Sequence, residues 1–425
     1  MEKKTIIITG AGIAGLVLAR ELAADHRVIL LEAAAAPGGR IMTRHEKDFP
    51  QPVEGGAEFI HGPLKHTIGL LKEAGIAYRP VEGNMYSWEK GAWIKHDEMI
   101  PGWDELLKKM KRINKDMTLS DFLQLYFGED KYAALRQDAQ RFAEGFDVAD
   151  TEKVSTKSLY KEWSKEENTN YRVPGGYGSL VTWLAEACTK KGCNVFYGET
   201  VKQVDWKKEY VKVITSKDKK YSGNKIIITA PVNLVWHPEA AASINFTPTL
   251  EEQAKAAADI GFGTVVKVVL HFKKILWPKD AGFIFSDQPF PTWWTQLPDT
   301  SAVITGWAGG PNAEQLSNDN DRSLLQKAIF SLGNILGIPV LQLEKELLAW
   351  KIFNWQKNEN AMGAYSYAMP ASVAAKELLN KPVEDTVFFC GETIYDGDAP
   401  GTVEAAITHA MLTAKKIRRE DFEHV

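Results

Sequence analysis

Three glycines near the start of the chain have a spacing that binds phosphate groups. Gly10, Gly12 and Gly15 form the pattern G-x-G-x-x-G, and Glu32 stands seventeen residues after the third glycine. In this pattern the first glycine permits a tight turn, the second admits a pyrophosphate against the backbone, and the third lets a helix pack closely on a strand. Free N–H groups at the start of that helix attract phosphate. The spacing predicts a dinucleotide site in which Glu32 accepts the ribose hydroxyls.

The residues after Glu32 favour FAD over NAD as the dinucleotide. Residues 37–40 (PGGR) follow the acid, and a second Gly-rich stretch covers residues 54–62 (EGGAEFIHG). An NAD-dependent enzyme usually continues with a second strand–helix–strand half. Gly-rich segments instead suit a backbone that closely approaches an extended cofactor. We expect Arg40 to place positive charge beside the phosphates, with a solvated loop arginine as the alternative.

The elements that would position this site follow from the apolar pattern. Residues 5–9 predict a buried parallel strand, residues 13–24 a helix and residues 27–31 a second strand. Together they make a βαβ unit, which implies a parallel sheet covered by helices. The predicted fold class is therefore mixed α/β and α+β, with a Rossmann-like FAD-binding domain.

The rest of the chain predicts a substrate domain of helices and antiparallel strands. Residues 80–170 are polar, Lys-rich and contain Trp, and residues 264–307 predict long antiparallel strands that hold many aromatic side chains. Further helices are predicted at 103–114, 119–146, 179–190, 321–348 and 402–417, and further strands at 194–197, 201–206, 211–215, 225–229 and 386–389. No low-complexity linker separates these parts, so the domains are expected to interleave.

Five separated segments of the chain resemble the FAD-dependent amine oxidase family, which includes monoamine oxidases, polyamine oxidases and flavin-dependent histone demethylases. The segments are 5–44, 54–62, 223–232, 264–272 and 355–410. The resemblance implies oxidation of a carbon–nitrogen bond by two domains that exchange segments of the chain. The FAD-binding domain would comprise 1–78, 175–258 and 358–425, and the substrate-binding domain 79–174 and 259–357.

The resemblance also assigns residues to the cofactor. Glu32 is similar to the ribose-binding acid of the family, Arg40 to the arginine beside the pyrophosphate, and Val201 to a residue whose backbone contacts the adenine end. The C-terminal flavin-binding segment would begin its last helix near Gly401, although Thr402 could be only an N-cap. The full set of expected FAD-binding residues is Gly10, Gly12, Ile13, Ala14, Gly15, Glu32, Gly39, Arg40, Gly56, Ala57, Glu58, Val201, Gly391, Glu392, Gly401, Thr402 and Val403.

Four residues are expected at the catalytic cavity. Lys267 resembles the lysine that holds a water against flavin N5; from the residues alone, a lysine on the outward face of an edge strand is the alternative. Trp355 and Tyr365 resemble the wall of the flavin and substrate cavity. His61 lies in a segment similar to that of polyamine oxidases, where a neutral imidazole could hydrogen-bond an amine. A loop histidine satisfied by backbone is the alternative there.

Two positions depart from the monoamine oxidase pattern. Ala364 stands where those enzymes carry the cysteine that attaches FAD covalently, so FAD is expected to bind non-covalently. Tyr365 matches one of their two substrate-facing tyrosines, but Thr402 stands at the other position, so the aromatic cage is incomplete. The Asp-Pro that often follows the tryptophan is replaced by Asn358-Glu359.

The expected reaction is hydride transfer from the α-carbon of a small primary or secondary amine to FAD. O2 would then reoxidise the flavin to give hydrogen peroxide, and the imine would hydrolyse to an aldehyde or ketone. Three alternatives stay open. They are an L-amino-acid oxidase, an FAD-dependent desaturase acting on a non-amine substrate, and a non-catalytic protein that keeps FAD for stability.

Composition limits the partners and the compartment. The net charge of −4 and the pI near 6.2 give no electrostatic case for nucleic acid or an anionic membrane. Cys188, Cys193 and Cys390 form no disulfide framework, and no His or Cys pair beside them completes a metal site. An uninterrupted run of about 20 apolar residues is absent from the sequence. We therefore expect a cytoplasmic protein without a metal or a membrane span.

Overall fold

The computed structural model describes residues 3–89, 92–96, 100–165 and 169–423. Its helices are α1 Ile13–Leu22, α2 Lys65–Glu73, α3 Trp103–Met110, α4 Leu119–Phe127, α5 Ala133–Gly145, α6 Thr156–Trp163, α7 Gly178–Lys190, α8 Val232–Val235, α9 Glu251–Ala258, α10 Gly310–Ser317, α11 Asp321–Leu336, α12 Val340–Glu346, α13 Ser372–Leu379 and α14 Val403–Glu423. Its strands are β1 Thr5–Thr9, β2 Arg27–Glu32, β3 Thr43–Arg44, β4 Val53–Glu54, β5 Phe59–His61, β6 Arg79–Pro80, β7 Asn84–Glu89, β8 Ala92–His96, β9 Asn170–Arg172, β10 Asn194–Tyr197, β11 Val201–Lys207, β12 Tyr210–Thr215, β13 Lys220–Gly223, β14 Lys225–Ile228, β15 Asn245–Thr247, β16 Ile260–Phe262, β17 Val265–Phe272, β18 Ala281–Phe285, β19 Thr292–Trp294, β20 Val303–Gly309, β21 Leu347–Asn354, β22 Ser366–Ala368 and β23 Val387–Phe389.

A five-stranded parallel sheet in the order β10-β2-β1-β14-β23 carries the N-terminal βαβ unit. Ile6, Ile7 and Ile8 of β1 are fully buried, as expected of a parallel strand that is covered on both faces. Helices α1, α7 and α14 cover one face, and the sheet of β11, β12, β13 and β15 covers the other. The predicted βαβ unit and parallel sheet are thus confirmed.

A seven-stranded sheet in the order β21-β17-β20-β19-β18-β7-β8 forms the second large layer. Lys267 on β17 lies opposite Trp307 on β20, and Trp307 lies opposite Thr292 on β19. Residues opposite one another across antiparallel strands share a face, so these side chains project to the same side. Val268 and Ile304 project to the other side, where they pack with residues of α11. Alternate residues of this sheet therefore face a helix-covered core and the cavity described below.

Helices α3 to α6 form a separate apolar cluster that includes Phe122 and Trp163. The helix predicted over 119–146 is divided, because α4 ends at Phe127, with Gly128 as its C-cap, and a short 3₁₀ turn over Asp130–Tyr132 precedes α5. The helical periodicity continues on both sides of this break, so the sequence pattern alone does not reveal it.

Strands β7 and β8 were not predicted. They pair antiparallel with each other, and β7 extends the large sheet through a parallel pairing with β18. Trp88 and Trp93 lie opposite one another with ring centroids 5.5 Å apart, which is a stabilising cross-strand pair. Tyr86, Trp88, Trp93 and Ile94 favour strands, a signal overlooked within the polar stretch 80–170, but the pairing with a strand almost 200 residues later cannot be read locally.

Other features of the described residues concern membrane-spanning helices, metal-binding clusters and cysteines. Within residues 3–89, 92–96, 100–165 and 169–423, no single helix is long and apolar enough to cross a membrane, although α11 and α12, bent by 108°, pass that test as a pair. In these same ranges no three or more His, Cys, Asp or Glu side chains are grouped to hold a metal ion. Cys188, Cys193 and Cys390 are free and buried.

Candidate active site

The turn between β1 and α1 brings backbone close to an open space. A Cβ on Gly15 would lie 1.9 Å from the carbonyl oxygen of Gly10, so only glycine lets the helix pack here. Gly10 has a φ of 98°, which a side chain would strain. A Cβ on Gly12, by contrast, would meet no heavy atom within 4 Å. The Cα of Gly12 therefore faces the cavity, where it leaves room for a pyrophosphate.

Glu32 closes the turn from the end of β2. Its carboxylate accepts hydrogen bonds from the N–H of Ala11 at 2.5 Å and of Ala34 at 2.7 Å. Burial raises the pKa of this carboxyl above its ordinary value, although the two N–H groups oppose the shift. A carboxylate has about four acceptor positions, so the two backbone bonds leave capacity for ribose hydroxyls. Glu32 is therefore fixed in direction while it lines the cavity.

Arg40 forms an ion pair that links the two ends of the chain. Its Nη1 donates to Glu392 Oε2 at 2.7 Å and to the carbonyl oxygen of Ala364 at 3.0 Å. Glu392 also accepts from the N–H of Ser366 at 2.8 Å and from its Oγ at 2.5 Å. Burial alone would raise the pKa of Glu392, but the charge of Arg40 and the Ser366 hydrogen bonds outweigh it and lower the pKa. Arg40 is thus a positioned arginine and not a solvated one.

Lys267 lies inside the large sheet. Strand β17 is paired on both sides, by β20 and β21, and Lys267 is 1% exposed. The alternative of an outward lysine on an edge strand is therefore wrong. Its Nζ donates to Glu58 Oε2 at 2.7 Å and approaches the carbonyl oxygen of Gly56 at 3.4 Å. The lysine reaches the cavity wall with a buried carboxylate as its partner.

Glu58 has three donors, which the sequence analysis did not identify. Besides Lys267, Arg172 donates from Nη2 at 2.9 Å and Trp294 from Nε1 at 3.0 Å, both to Oε1. Burial would raise the pKa of Glu58, but the charges of Lys267 and Arg172 outweigh burial and lower the pKa. An acid inside the Gly-rich stretch 54–62 was the available signal. Its partners stand more than 100 residues away and could not be paired from the sequence.

His61 lies on β5, where a side chain satisfies its imidazole. Nδ1 lies 2.8 Å from Asn170 Oδ1 on the neighbouring strand β9, and the ring contacts Phe146 edge-on at 5.4 Å. Burial lowers the pKa of His61 below its ordinary value of 6.5, although the Asn170 hydrogen bond opposes the shift. The imidazole is therefore neutral at physiological pH. The alternative of a histidine satisfied by backbone does not describe this arrangement.

Tyr365 and Trp355 are both anchored to backbone carbonyl groups. The hydroxyl of Tyr365 donates to the carbonyl oxygen of Phe146, and Trp355 Nε1 donates to that of Gly55 at 2.8 Å. Burial raises the pKa of Tyr365 well above its ordinary value, so its hydroxyl stays protonated. These hydrogen bonds fix both rings at the cavity wall.

The last helix starts at the expected place. Gly401 has a φ of 70°, and α14 begins at Val403. The Oγ1 of Thr402 accepts from the N–H of Ala405 at 3.2 Å, so Thr402 does act as an N-cap. Gly401, Thr402 and Val403 nevertheless line the cavity, and the start of the helix points positive N–H groups towards that region.

One cavity of about 2740 Å³ joins these parts. We name two groups of its lining residues the nucleotide cradle and the amine chamber. Every expected site residue lines the cavity except Gly15, whose role is to let α1 pack. The volume exceeds an ordinary ligand pocket of roughly 300–1,000 Å³, so it has room for a dinucleotide together with a substrate. The cradle is formed by Gly10, Gly12, Glu32, Gly39 and Arg40, and the chamber by His61, Lys267, Trp294, Trp307 and Tyr365.

Comparison with known proteins identifies the family. The sequence profile of the family described as flavin containing amine oxidoreductase matches residues 13–418, so the chain belongs to this family. It is a flavin-dependent oxidoreductase that acts on amines, and the predicted family, fold class and flavin cofactor are confirmed.

Individual relatives span nearly the whole chain. Polyamine oxidase 2 of Arabidopsis thaliana is 25% identical over 461 residues, covering 99% of this chain and 89% of the relative. Lysine-specific histone demethylase 1B of Mus musculus is 24% identical, covering 98% of this chain, which spans about half (53%) of that relative. Putrescine oxidase bound to putrescine has a TM-score of 0.81 at 18% identity, covering 98% of this chain and 99% of that one. Cyclohexylamine oxidase from Brevibacterium oxydans IH-35A has a TM-score of 0.79 at 20% identity, covering 98% and 100%.

Proposed function

We propose that the chain oxidises a small, flexible amine of the polyamine type, with FAD held non-covalently and O2 as the electron acceptor. The observation that carries this proposal is the single cavity that connects the nucleotide cradle with the amine chamber. When bound, FAD would supply the acceptor for a hydride from the α-carbon of the amine, with O2 as the final oxidant and hydrogen peroxide as its product.

In this proposal the cofactor residues act mostly through backbone and fixed charge. Gly12 admits the pyrophosphate, the start of α1 supplies N–H groups, and Arg40 adds a cation that Glu392 holds in place. Val201 lies buried at the start of β11 and lines the cavity, and the N–H of the nearby Glu199 donates to the carbonyl oxygen of Glu32 at 2.7 Å, which supports a contact with the adenine end. Ala364 has no thiol, which supports non-covalent binding. The N-terminus of α14 would favour negative charge on the reduced flavin.

The amine chamber would bind the amine in its neutral form. Aromatic side chains desolvate the site, and desolvation favours a neutral amine over an ammonium ion. His61 is neutral and can hydrogen-bond the nitrogen without adding charge. Trp307, whose Nε1 donates to the carbonyl oxygen of Gly145 at 2.8 Å, adds a second aromatic wall beside Tyr365. Hydride transfer itself needs orientation and no acid–base residue.

Carboxylates on the cavity wall support a substrate with a second, charged nitrogen. They outnumber by one the cations that line the same stretch of the chain, Arg141, Lys161 and Lys165. Burial and the charge of Asp150 raise the pKa of Glu144, so a cation beside this carboxylate would be stabilised. The polyamine oxidase and putrescine oxidase relatives agree with this chemistry. The four carboxylates are Asp138, Glu144, Asp147 and Glu162.

The proposal extends to domains and compartment. The strands of the parallel sheet all come from the ranges assigned to the FAD-binding domain, and those of the seven-stranded sheet from the ranges assigned to the substrate-binding domain. This supports the predicted interleaved division. Three free, buried cysteines support a reducing compartment such as the cytoplasm.

Anaerobic mixing of the purified protein with a panel of amines tests the proposal. Diamines and polyamines should bleach the flavin absorbance at about 450 nm faster than monoamines of the same length or than amino acids. Glu144→Gln should reduce the difference in bleaching rate between diamines and monoamines. Glu152→Gln, on an exposed loop, should leave that difference in rate unchanged. Rapid bleaching by amino acids alone would instead support an L-amino-acid oxidase. A flavin that dithionite reduces but no amine reduces would contradict the proposal.

A further inference from the structure

Glu58 is a buried acid, and contact with a cofactor alone does not explain why it is buried among charged side chains. It is 8% exposed, and both of its oxygens accept hydrogen bonds from charged donors. Placing a carboxylate in such a site costs free energy unless cations and hydrogen bonds compensate it. Here Lys267, Arg172 and Trp294 compensate it together.

The three donors come from three different elements. Lys267 lies on β17, Arg172 on β9 and Trp294 on β19, while Glu58 immediately precedes β5. Glu58 therefore connects the small sheet of β5, β9 and β6 with the seven-stranded sheet. Its position fixes the direction of the Lys267 side chain, whose Nζ also lies 5.2 Å from the ring centroid of Trp294.

The same contacts set the charge of the cavity wall. Lys267, Glu58 and Trp294 line the cavity, whereas Arg172 is 8% exposed and is not among the lining residues. Two cations and one carboxylate leave a net charge of about +1 in this cluster. A positive charge near a flavin ring stabilises its reduced, anionic form.

We propose that Glu58 is a positioning residue, which holds Lys267 in place and limits the positive charge of this wall. Its negative charge offsets part of that positive charge and so sets how readily the bound flavin accepts electrons. The inference rests on the proposed placement of the flavin ring beside Lys267, but it does not depend on which amine is the substrate.

Variants that change the charge of the cluster test the inference. For each variant we would measure the equilibrium constant for two-electron reduction of the bound flavin by a reference dye. Glu58→Gln raises the cluster to about +2 and should raise this constant about tenfold. Lys267→Met lowers the cluster to about zero and should lower the constant about tenfold. The double variant has the net charge of the native cluster and should return close to the native constant.

Controls separate this effect from a loss of structure. Glu209→Gln removes an acid that pairs with Lys4 at 3.1 Å and is not among the cavity-lining residues, and it should leave the constant unchanged. FAD content and melting temperature are measured for each variant. Should Glu58→Gln fold poorly, the double variant must still exceed Lys267→Met by about tenfold, because the two differ only by the carboxylate charge.

The opposite results overturn the inference. A constant that Glu58→Gln leaves unchanged, or a double variant that matches Lys267→Met, would show that Glu58 only supports the fold. Because the dye replaces the amine, a chain that reduces with the dye but with no polyamine would refute the proposed substrate and leave this inference standing.

Discussion

At the nucleotide cradle the cofactor would meet mostly backbone, whereas at the amine chamber the substrate would meet mostly side chains. In the cradle, Gly12 has no side chain, so a phosphate group can approach its backbone and the N–H groups of α1. His61, Lys267 and Tyr365 act in the chamber because fixed partners hold their side chains in place. The cradle should therefore tolerate no added atoms, while the chamber should tolerate changes in side-chain chemistry that keep its hydrogen bonds.

The largest expected effect compares two glycines of the cradle. Gly15→Ala places a Cβ 1.9 Å from the carbonyl oxygen of Gly10, so it should destabilise the apoprotein by about 3 kcal/mol or more. Gly12→Ala meets open space and should leave the apoprotein melting temperature unchanged, yet weaken FAD binding by about tenfold or more. Thermal melts of the apoproteins and flavin titrations measure the two effects. Equal melting temperatures would contradict the division between packing and cofactor contact.

A smaller effect is expected where the cradle depends on an ion pair. Glu392→Gln leaves Arg40 without its buried carboxylate and should cost about 3 kcal/mol of stability at neutral pH. The pKa of Glu392 is lowered in the folded protein, so its contribution is present above the ordinary value of 4.5 and is lost as the pH falls towards the folded pKa. The gap in unfolding free energy between the native protein and the variant should therefore shrink in acid. Urea melts at several pH values measure it, with Glu209→Gln, an exposed acid, as control.

The smallest effect is expected in the chamber. Tyr365→Phe keeps the aromatic wall but removes the hydroxyl that donates to the carbonyl oxygen of Phe146. The loss of one hydrogen bond of about 1 kcal/mol should slow amine-dependent flavin reduction only a few-fold. Tyr365→Ala, which removes the ring as well, should slow it far more. Stopped-flow reduction distinguishes the two, and equal rates would show that the ring has no part in binding.

The sequence predicts features that depend on neighbouring residues, and it does not predict features that depend on residues far apart in the chain. The turn at Gly10–Gly15, the strands of the parallel sheet and the start of α14 were predicted because a few adjacent residues determine them. The pairs Arg40–Glu392 and Lys267–Glu58 were not predicted, since their members lie 352 and 209 residues apart. A local sequence pattern does not indicate which buried charges will pair, because the fold brings the partners together from distant parts of the chain.

Strands β7 and β8 illustrate the same limit within the fold. Their aromatic residues favour strands, but their place in the large sheet depends on β18, which offers an edge for pairing. The division of the helix predicted over 119–146 is a smaller error of the same kind, since the periodicity continues across Gly128.

The order of strands in the parallel sheet has a consequence for biosynthesis. β1 pairs on one side with β2, which soon follows it, but its other partner β14 is made some 220 residues later, and β23, the partner of β14, later still. Contacts this distant form late, because loop closure must precede them. The N-terminal turn alone therefore offers no complete pocket, and we expect the vitamin-derived cofactor to be taken up only when translation is almost finished. Until then the unpaired edge of β1 leaves the nascent chain prone to aggregation.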